Sequence, residues 1–437
     1  MMGIKENNNT YICGLFQKIN NHLMKGLYLK IACLTLIGAT FFSSNDLEGQ
    51  CILTNGEWRS QTGGDCVNTI LTAVPFLRIV SDARSGAMGD VGIGISADAN
   101  AMHFNQSKLI LADKPLGISA TYTPWLRSLG LNDVYLAYLT GYYKLDDLQA
   151  VGLGLRYFSL GDINFTDENG NPTGTGRPNE FEITASYSRK LTEKLSAGVG
   201  AKFIYSNLAS GQQVDGQIID AGTAGAADIS FTYNTEIEAN GNPSDLMVGL
   251  AITNIGSKIT YTNAANSQKD FLPTNLGIGA GWTFHFDNYN SLTLAADVNK
   301  LLVPTRCFDN QDTAENECDS DGNGVNDWRE ASPISGIFSS FSDAPNGFEE
   351  EIKELMYSFG VEYWYDQQFA VRAGYFTEAR SKGDRHYFTV GLGLKYNIFG
   401  LNFSYLVPTT NQRNPLDNTL RFSLLFDFGA FDGEGLD

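Results

Sequence analysis

The stretch Phe388-Thr389-Val390-Gly391-Leu392-Gly393-Leu394-Lys395-Tyr396 decides how this chain folds. Large apolar side chains occupy every second position, and Thr, Gly or Lys fills the positions between. Successive side chains of a β-strand point to opposite faces, so such a segment has one oily face and one small or polar face. The same alternation runs through Leu116, Ile118, Ala120 and Tyr122, and through Val151, Leu153, Leu155 and Tyr157. Outward from these, fourteen such segments start near residues 116, 134, 149, 180, 195, 226, 245, 274, 291, 355, 369, 385, 398 and 419. Most have the length that crosses a bilayer as a tilted strand.

The connections sort by parity. Leu145–Leu148, Leu191–Lys194, Asp287–Asn290, Asp366–Gln368 and Asn397 are tight, and the sixth, about Thr235 to Ser244, is intermediate. The odd-numbered connections are mostly longer, and the ninth runs from about Leu301 to Glu354. Short turns at one end and long loops at the other are the pattern of an outer-membrane barrel. A soluble sandwich buries its oily faces against each other and has no reason to sort its loops. The predicted fold is therefore all-β, a fourteen-stranded antiparallel transmembrane barrel over 115–429. Parity puts both termini in the periplasm and the long loops outside the cell. A short periplasmic lead-in segment (51–114) is expected before the barrel and a tail (430–437) after it.

The bulk properties agree. The chain has 437 residues, a net charge of -19, and many Tyr (20), Phe (27) and Gly (46). Nucleic acid is excluded as a partner because phosphate binding needs clustered Lys and Arg. Beyond residue 50 no apolar run approaches the ~18 residues of a spanning helix. Lys25 and Lys30 precede the largely apolar run Ile31–Phe42, followed by small and polar residues, so 1–50 reads as a secretory signal. Met24 is a second candidate start. Arg156, Glu180, Glu182, Lys202, Asp228, Asp297, Glu362, Arg372, Lys395, Arg421 and Asp427 fall on the face opposite the oily stripe and are expected in the lumen. Tyr122, Tyr143, Tyr187, Tyr205, Tyr233, Trp282, Trp364, Tyr375 and Tyr405 suit the aromatic girdles that meet outer-membrane lipid.

Once the signal is removed, four cysteines remain, Cys51, Cys66, Cys307 and Cys318. Four allow three connectivities, and sequence proximity favours Cys51–Cys66 and Cys307–Cys318; zinc is the weaker reading, since finger-type Cys-His spacing is missing. The second pair would contribute about 3 kcal/mol by loop closure. It adjoins Asp319-Ser320-Asp321-Gly322-Asn323-Gly324-Val325-Asn326-Asp327-Trp328-Arg329-Glu330, which fits a twelve-position calcium loop. Asp319, Asp321, Asn323 and Asp327 would offer side-chain oxygen, Val325 its carbonyl, and Glu330 the last carboxylate. Calcium is the one ion expected, and no cofactor is required. The second half of the ninth loop carries Ile337, Phe338, Phe341, Pro345 and Phe348, either a docking surface for partners or a cover folded over the barrel mouth.

Two resemblances follow from longer motifs. The run Asp82 to Gln106 resembles the segment before the first strand in the FadL superfamily of fourteen-stranded barrels, although Phe104-Asn105-Gln106 stands where Trp-Asn-Pro is usual. Ala73–Arg84, Tyr122–Leu126, Asn299–Thr305, Ser335–Phe348, Val361–Tyr365, Arg372–Phe376 and Arg413–Leu424 resemble the PorV family of type IX secretion barrels. That resemblance implies an outer-membrane role without chemistry. Such barrels bind the C-terminal signal domain of secreted cargo at the translocon subunit. They pass it to a surface attachment complex with a sortase-like protein. A FadL-type channel for hydrophobic small molecules is the alternative. An enzyme acting on lipid would need a nucleophile or metal beside a base, and His103, His285 and His386 suggest packing or interfacial roles instead.

Overall fold

A computed structural model describes residues 51–429 apart from 55, 62, 128–129, 167–169, 215–216, 240, 263–268, 309–317 and 410–418. The expected signal peptide and tail lie outside the described residues. Fourteen antiparallel strands close into one barrel. They are β1 Leu116–Pro124, β2 Val134–Lys144, β3 Gln149–Leu160, β4 Asn179–Lys190, β5 Leu195–Asn207, β6 Gly222–Ala239 and β7 Asn242–Gly256. They continue as β8 Asn275–His285, β9 Asn290–Leu301, β10 Met356–Tyr365, β11 Phe369–Thr377, β12 His386–Tyr396, β13 Phe399–Pro408 and β14 Leu420–Phe428. Each strand pairs with the next, and β14 closes on β1 with Phe422 opposite Tyr122 and Phe428 opposite Leu116. Closure leaves no unpaired edge, which lipid would punish. No helix among the described residues is long and apolar enough to cross a membrane.

The sixth connection corrects its expected length. β6 and β7 keep pairing from Thr235–Leu246 through Ala239–Asn242, so that turn is tight and the hairpin long. Glu236, Glu238 and Asp245 break the oily alternation there, which hides the strand from a hydrophobicity reading but not from backbone hydrogen bonding. Trp364 also departs from expectation. It lies on the inward register of β10, where the Arg372 guanidinium stacks 5.3 Å from its ring centre, and is not part of a girdle.

The expected lumen charges are inside, and most are buried. What meets them is the segment expected in the periplasm. Residues 74–112 thread through the barrel as short helical turns, among them Ala83–Gly86, capped by the Asp82 carboxylate accepting from Ser85 N–H at 2.8 Å. Arg84 donates to Glu362 at 2.7 and 2.9 Å, and Arg372 donates to the same carboxylate at 2.6 Å. The Gly92 and Ile93 amides donate to Asp297 at 2.7 and 2.9 Å. Gln106 donates to Asp228 at 2.6 Å, and Lys202 pairs with that same oxygen at 2.9 Å. Arg156 caps the Phe76 and Leu77 carbonyls at 3.2 and 3.0 Å. Buried charges need partners of this kind, and the plug supplies them.

Within the described residues, the path of the plug departs from the expectation that both ends lie opposite the long loops. β14 finishes at the short-turn end, as parity expects. The hairpin of Cys51–Thr54 with Glu57–Ser60 sits instead at the long-loop end, where Trp58 exchanges hydrogen bonds of 2.7 and 3.1 Å with Asn346. The chain then runs down the lumen to reach β1 at the other end. It passes so close to the wall that glycine is required. A Cβ on Gly374 would lie 2.0 Å from the Gly89 nitrogen, and one on Gly198 would lie 2.4 Å from the Ser107 nitrogen.

Gly374→Ala is expected to destabilise the barrel by about 1–3 kcal/mol, the usual cost of overpacking. The temperature at which the folded band converts to the unfolded one on semi-native gels should fall. Gly225→Ala, at a position where the nearest atom to a Cβ is 4.0 Å away, is the control and should leave that temperature unchanged.

Candidate functional site

The ninth connection, between β9 and β10, is a folded unit fastened to the barrel rim. Leu302 and Val303 leave β9 buried, and Leu302 N–H donates to the Thr274 carbonyl at 2.8 Å. Ser332 then caps a helix over Pro333–Ser339 by accepting from Ser335 N–H at 3.1 Å, with proline in the first turn. Gly336 lets that helix press on Pro304, whose ring carbon would lie 2.9 Å from a Cβ there. Gly347 at φ 66° turns the chain into a second helix over Phe348–Lys353, which carries Glu349, Glu350 and Glu351 in its first turn.

Glu350 and Glu351, together with Glu354, are held by two lysines at the barrel rim. Lys300 pairs with Glu351 at 3.0 Å and Glu354 at 2.5 Å, while Lys382, from the β11–β12 connection, pairs with Glu350 at 2.6 Å and Glu354 at 3.0 Å. Thr305 donates to Glu354 at 2.7 Å. Nearby, burial raises the Asp343 carboxyl to about 6, against the Thr305 amide that donates to it and with Glu351 and Glu354 pushing the same way as burial. The N-terminal segment adds further ties. Asp65 pairs with Lys353 at 2.9 Å and raises its pKa by that hydrogen bond, and Asn68 donates to Glu350 and to the Arg306 carbonyl, each at 3.1 Å. None of these long-range partners was legible in the sequence.

Both cysteine pairs are bonded as sequence proximity favours, Cys51 to Cys66 and Cys307 to Cys318. The oxygen-rich loop begins directly after Cys318, and its ends are joined by Asp327 N–H donating to the Cys318 carbonyl at 2.8 Å. Asp319, Asp321 and Asp327 bring one carboxylate oxygen each within 4.8 Å of one another. Gly324 takes φ 85° at the sixth position, and its amide donates to Asp319 at 2.8 Å. Glu330 reaches the cluster through Asn323, whose side-chain amide donates to it at 2.9 Å. The Val325 amide donates to the Asn323 side-chain oxygen at 2.7 Å. Three convergent carboxylates with hard oxygen neighbours fit a calcium ion chemically.

The apolar residues of the second half divide. Phe338 is 73% exposed, Phe341 50% and Phe348 80%, while Ile337 and Pro345 are half-buried. Ile334 and Ile352 join the exposed set. This half of the loop is thus folded and still displays bare aromatic rings.

Elsewhere, a cavity of about 110 Å³ lies in the half of the lumen nearest the long loops, with Arg78, Asn254, Asn299 and Tyr387 in its lining. The histidines stand apart from it or at its edge. His103 contacts Arg156, His285 meets Asp245 at 2.8 Å, and His386 lies between the Thr377 hydroxyl at 2.8 Å and Asp384 at 3.3 Å. Asp384 is an acid partner that strand parity does not reveal.

The profile of the family described as type IX secretion system protein PorV matches residues 62–307. No curated protein matches the chain. Among solved structures, the Ralstonia pickettii toluene transporter TbuX is 13% identical with a TM-score of 0.46, covering 79% of this chain and 98% of that one. The P. putida toluene transporter TodX is 12% identical at 0.45, covering 80% and 98%. A Pseudomonas aeruginosa FadL homologue is 12% identical at 0.40, covering 83% and 100%. The family match spans more than half of the sequence and falls on a closed fourteen-stranded barrel, and the chain belongs to the PorV family of type IX secretion system proteins.

Proposed function

We propose that this outer-membrane barrel works in type IX secretion as a carrier and not as a conduit. On this reading the long loops and the N-terminal hairpin face the outside of the cell, and the short turns and the end of β14 face the periplasm. The folded ninth loop receives the C-terminal signal domain of cargo at the translocon. It then delivers the cargo to the attachment complex and its sortase-like protein. The observation that carries the proposal is the display of Phe338, Phe341 and Phe348 on a loop whose carboxylates are pinned by Lys300 and Lys382. Exposed aromatic clusters on a rigid support mark interaction sites. The plugged lumen supports it as well, since the charges of the wall are already engaged by the chain's own residues. A channel for hydrophobic small molecules finds support in the lumen cavity, but Arg78, Asn254 and Asn299 suit a polar solute better. The carrier role involves no catalysis.

We also propose that Asp319, Asp321, Asn323, Asp327 and Glu330, with the Val325 carbonyl, hold calcium. The ion would relieve the repulsion among the three carboxylates and order the loop beside the Cys307–Cys318 bond.

Truncating aromatic anchors at the centre of an interface costs about 2–4 kcal/mol. Phe338→Ser combined with Phe348→Ser is therefore expected to lose copurified translocon and cargo signal domain while migrating as a folded barrel. Full retention of both partners would refute the docking role. For calcium, titration calorimetry on the purified chain should show binding near 10⁻⁴–10⁻³ M, roughly the range of extracellular modules. Asp321→Ala should abolish the heat; absence of heat in the unmodified chain, or heat unaffected by the substitution, counts against the ion.

A further inference from the structure

The ninth loop does not only rise above the barrel; part of it overhangs the outer wall. Leu276 and Ile278 of β8 and Val298 of β9 are outward-register residues, with Ile278 directly opposite Val298 across the ladder. They form one side of a groove of about 230 Å³, and Phe341, Phe348 and Ile352 of the loop form the other. Lys300 and Glu351 close its upper end, where they pair with each other at 3.0 Å. Seven apolar side chains, Leu355 among them, thus line one slot on the outside of the barrel.

We infer that this slot clasps an acyl chain of a membrane lipid. The floor is continuous with the lipid-facing stripe of the barrel. Below Ile278 on the same face of β8 come Ala280 and the exposed Trp282, so nothing polar separates the groove from the hydrocarbon that bathes the wall. Ile278 is the fourth residue of β8, roughly 10 Å down from the rim at ~3.4 Å per residue. The slot therefore opens along the wall toward the bilayer, and its polar closure is at the top, where a headgroup would begin. The Lys300 ammonium is already engaged by Glu351 and Glu354, so the slot selects for a hydrocarbon tail and not for a particular headgroup.

An acyl chain lying there would brace the Phe348–Lys353 helix from below. Phe338 and Ile334 are not part of the lining and stay free for a protein partner, whereas Phe341 and Phe348 would hold the acyl chain until a docking partner displaces it. The proposal rests on the outward reading of the long loops only for the leaflet, which would then be the outer one.

The test is photo-crosslinking of the full chain in phosphatidylethanolamine vesicles that carry a trace of phosphatidylcholine with a diazirine in one acyl chain. Mass spectrometry should find label on the peptide holding Phe348 and Ile352 as well as on the wall. Ile278→Trp fills the slot from an outward position where a large ring is compatible with a lipid-facing strand. It should abolish label on the loop peptide and leave label at Leu392 and Leu394 of β12 unchanged, with folded mobility retained on semi-native gels. Loop label that is missing from the unmodified chain, or that survives Ile278→Trp, overturns the clasp. So does a crosslinker at Phe348 that captures translocon or cargo while lipid never labels the loop. Missing label at Leu392 and Leu394 as well would overturn the membrane barrel itself, which keeps the two failures apart.

Discussion

Charge that can neither face lipid nor meet bulk water is the constraint on which this molecule turns. Closing the sheet sends one face of every strand outward into hydrocarbon, so the polar residues of each strand must point inward. There the lumen is too narrow for Arg156, Glu362, Arg372 and Asp297 to be solvated separately, and they are buried. Desolvating an ion costs several kcal/mol unless well-placed partners repay it. The plug meets that cost with Arg84 on Glu362, the Gly92 and Ile93 amides on Asp297, and the Phe76 and Leu77 carbonyls on Arg156. Wall and plug are therefore one electrostatic unit. Withdrawing the plug would strand several buried charges at once, and the fold is poorly suited to serve as an open pipe.

The same contact explains the glycines. Alternation of apolar and small residues is read correctly as a strand with a lipid face, and strand number, closure and loop parity follow from it. What fills the inner side is a different matter. Gly198 and Gly374 look the same in sequence whether the lumen holds water or another backbone. Only in the folded chain does it emerge that a Cβ at either position would collide with the plug. The run 51–114 has no periodicity that declares its path, because its partners are isolated side chains on many strands. Trp364 is ambiguous for a related reason: an aromatic near a strand end fits a girdle until its register relative to Arg372 is known.

Of the candidate site, the local features were legible and the distant ones were not. The two cysteine pairs and the spacing of the oxygen-rich loop depend on residues close in sequence, and the structure assembles both. The rigidity of the ninth loop depends on Lys300, Lys382, Asp65 and Asn68, which lie far from Glu350, Glu351 and Lys353 along the chain. A sequence this acidic offers many carboxylates. Nothing in their spacing tells which few are neutralised by lysines across a rim.

That rigidity bears on the carrier role proposed above. A flexible loop that ordered itself around each cargo would lose conformational entropy at every encounter, about 0.5–1.5 kcal/mol per immobilised side chain. Here the ordering belongs to folding, since two helices, a disulfide and several ion pairs hold Phe338 and Phe348 in the free protein. Much of the contact energy of the rings then remains available for the partner. The displayed patch is also small, a few side chains on one loop, and the short polar and acidic segments around it limit how far a contact can spread. Preorganisation favours capture and a limited area favours release. The carrier role proposed above would draw on both.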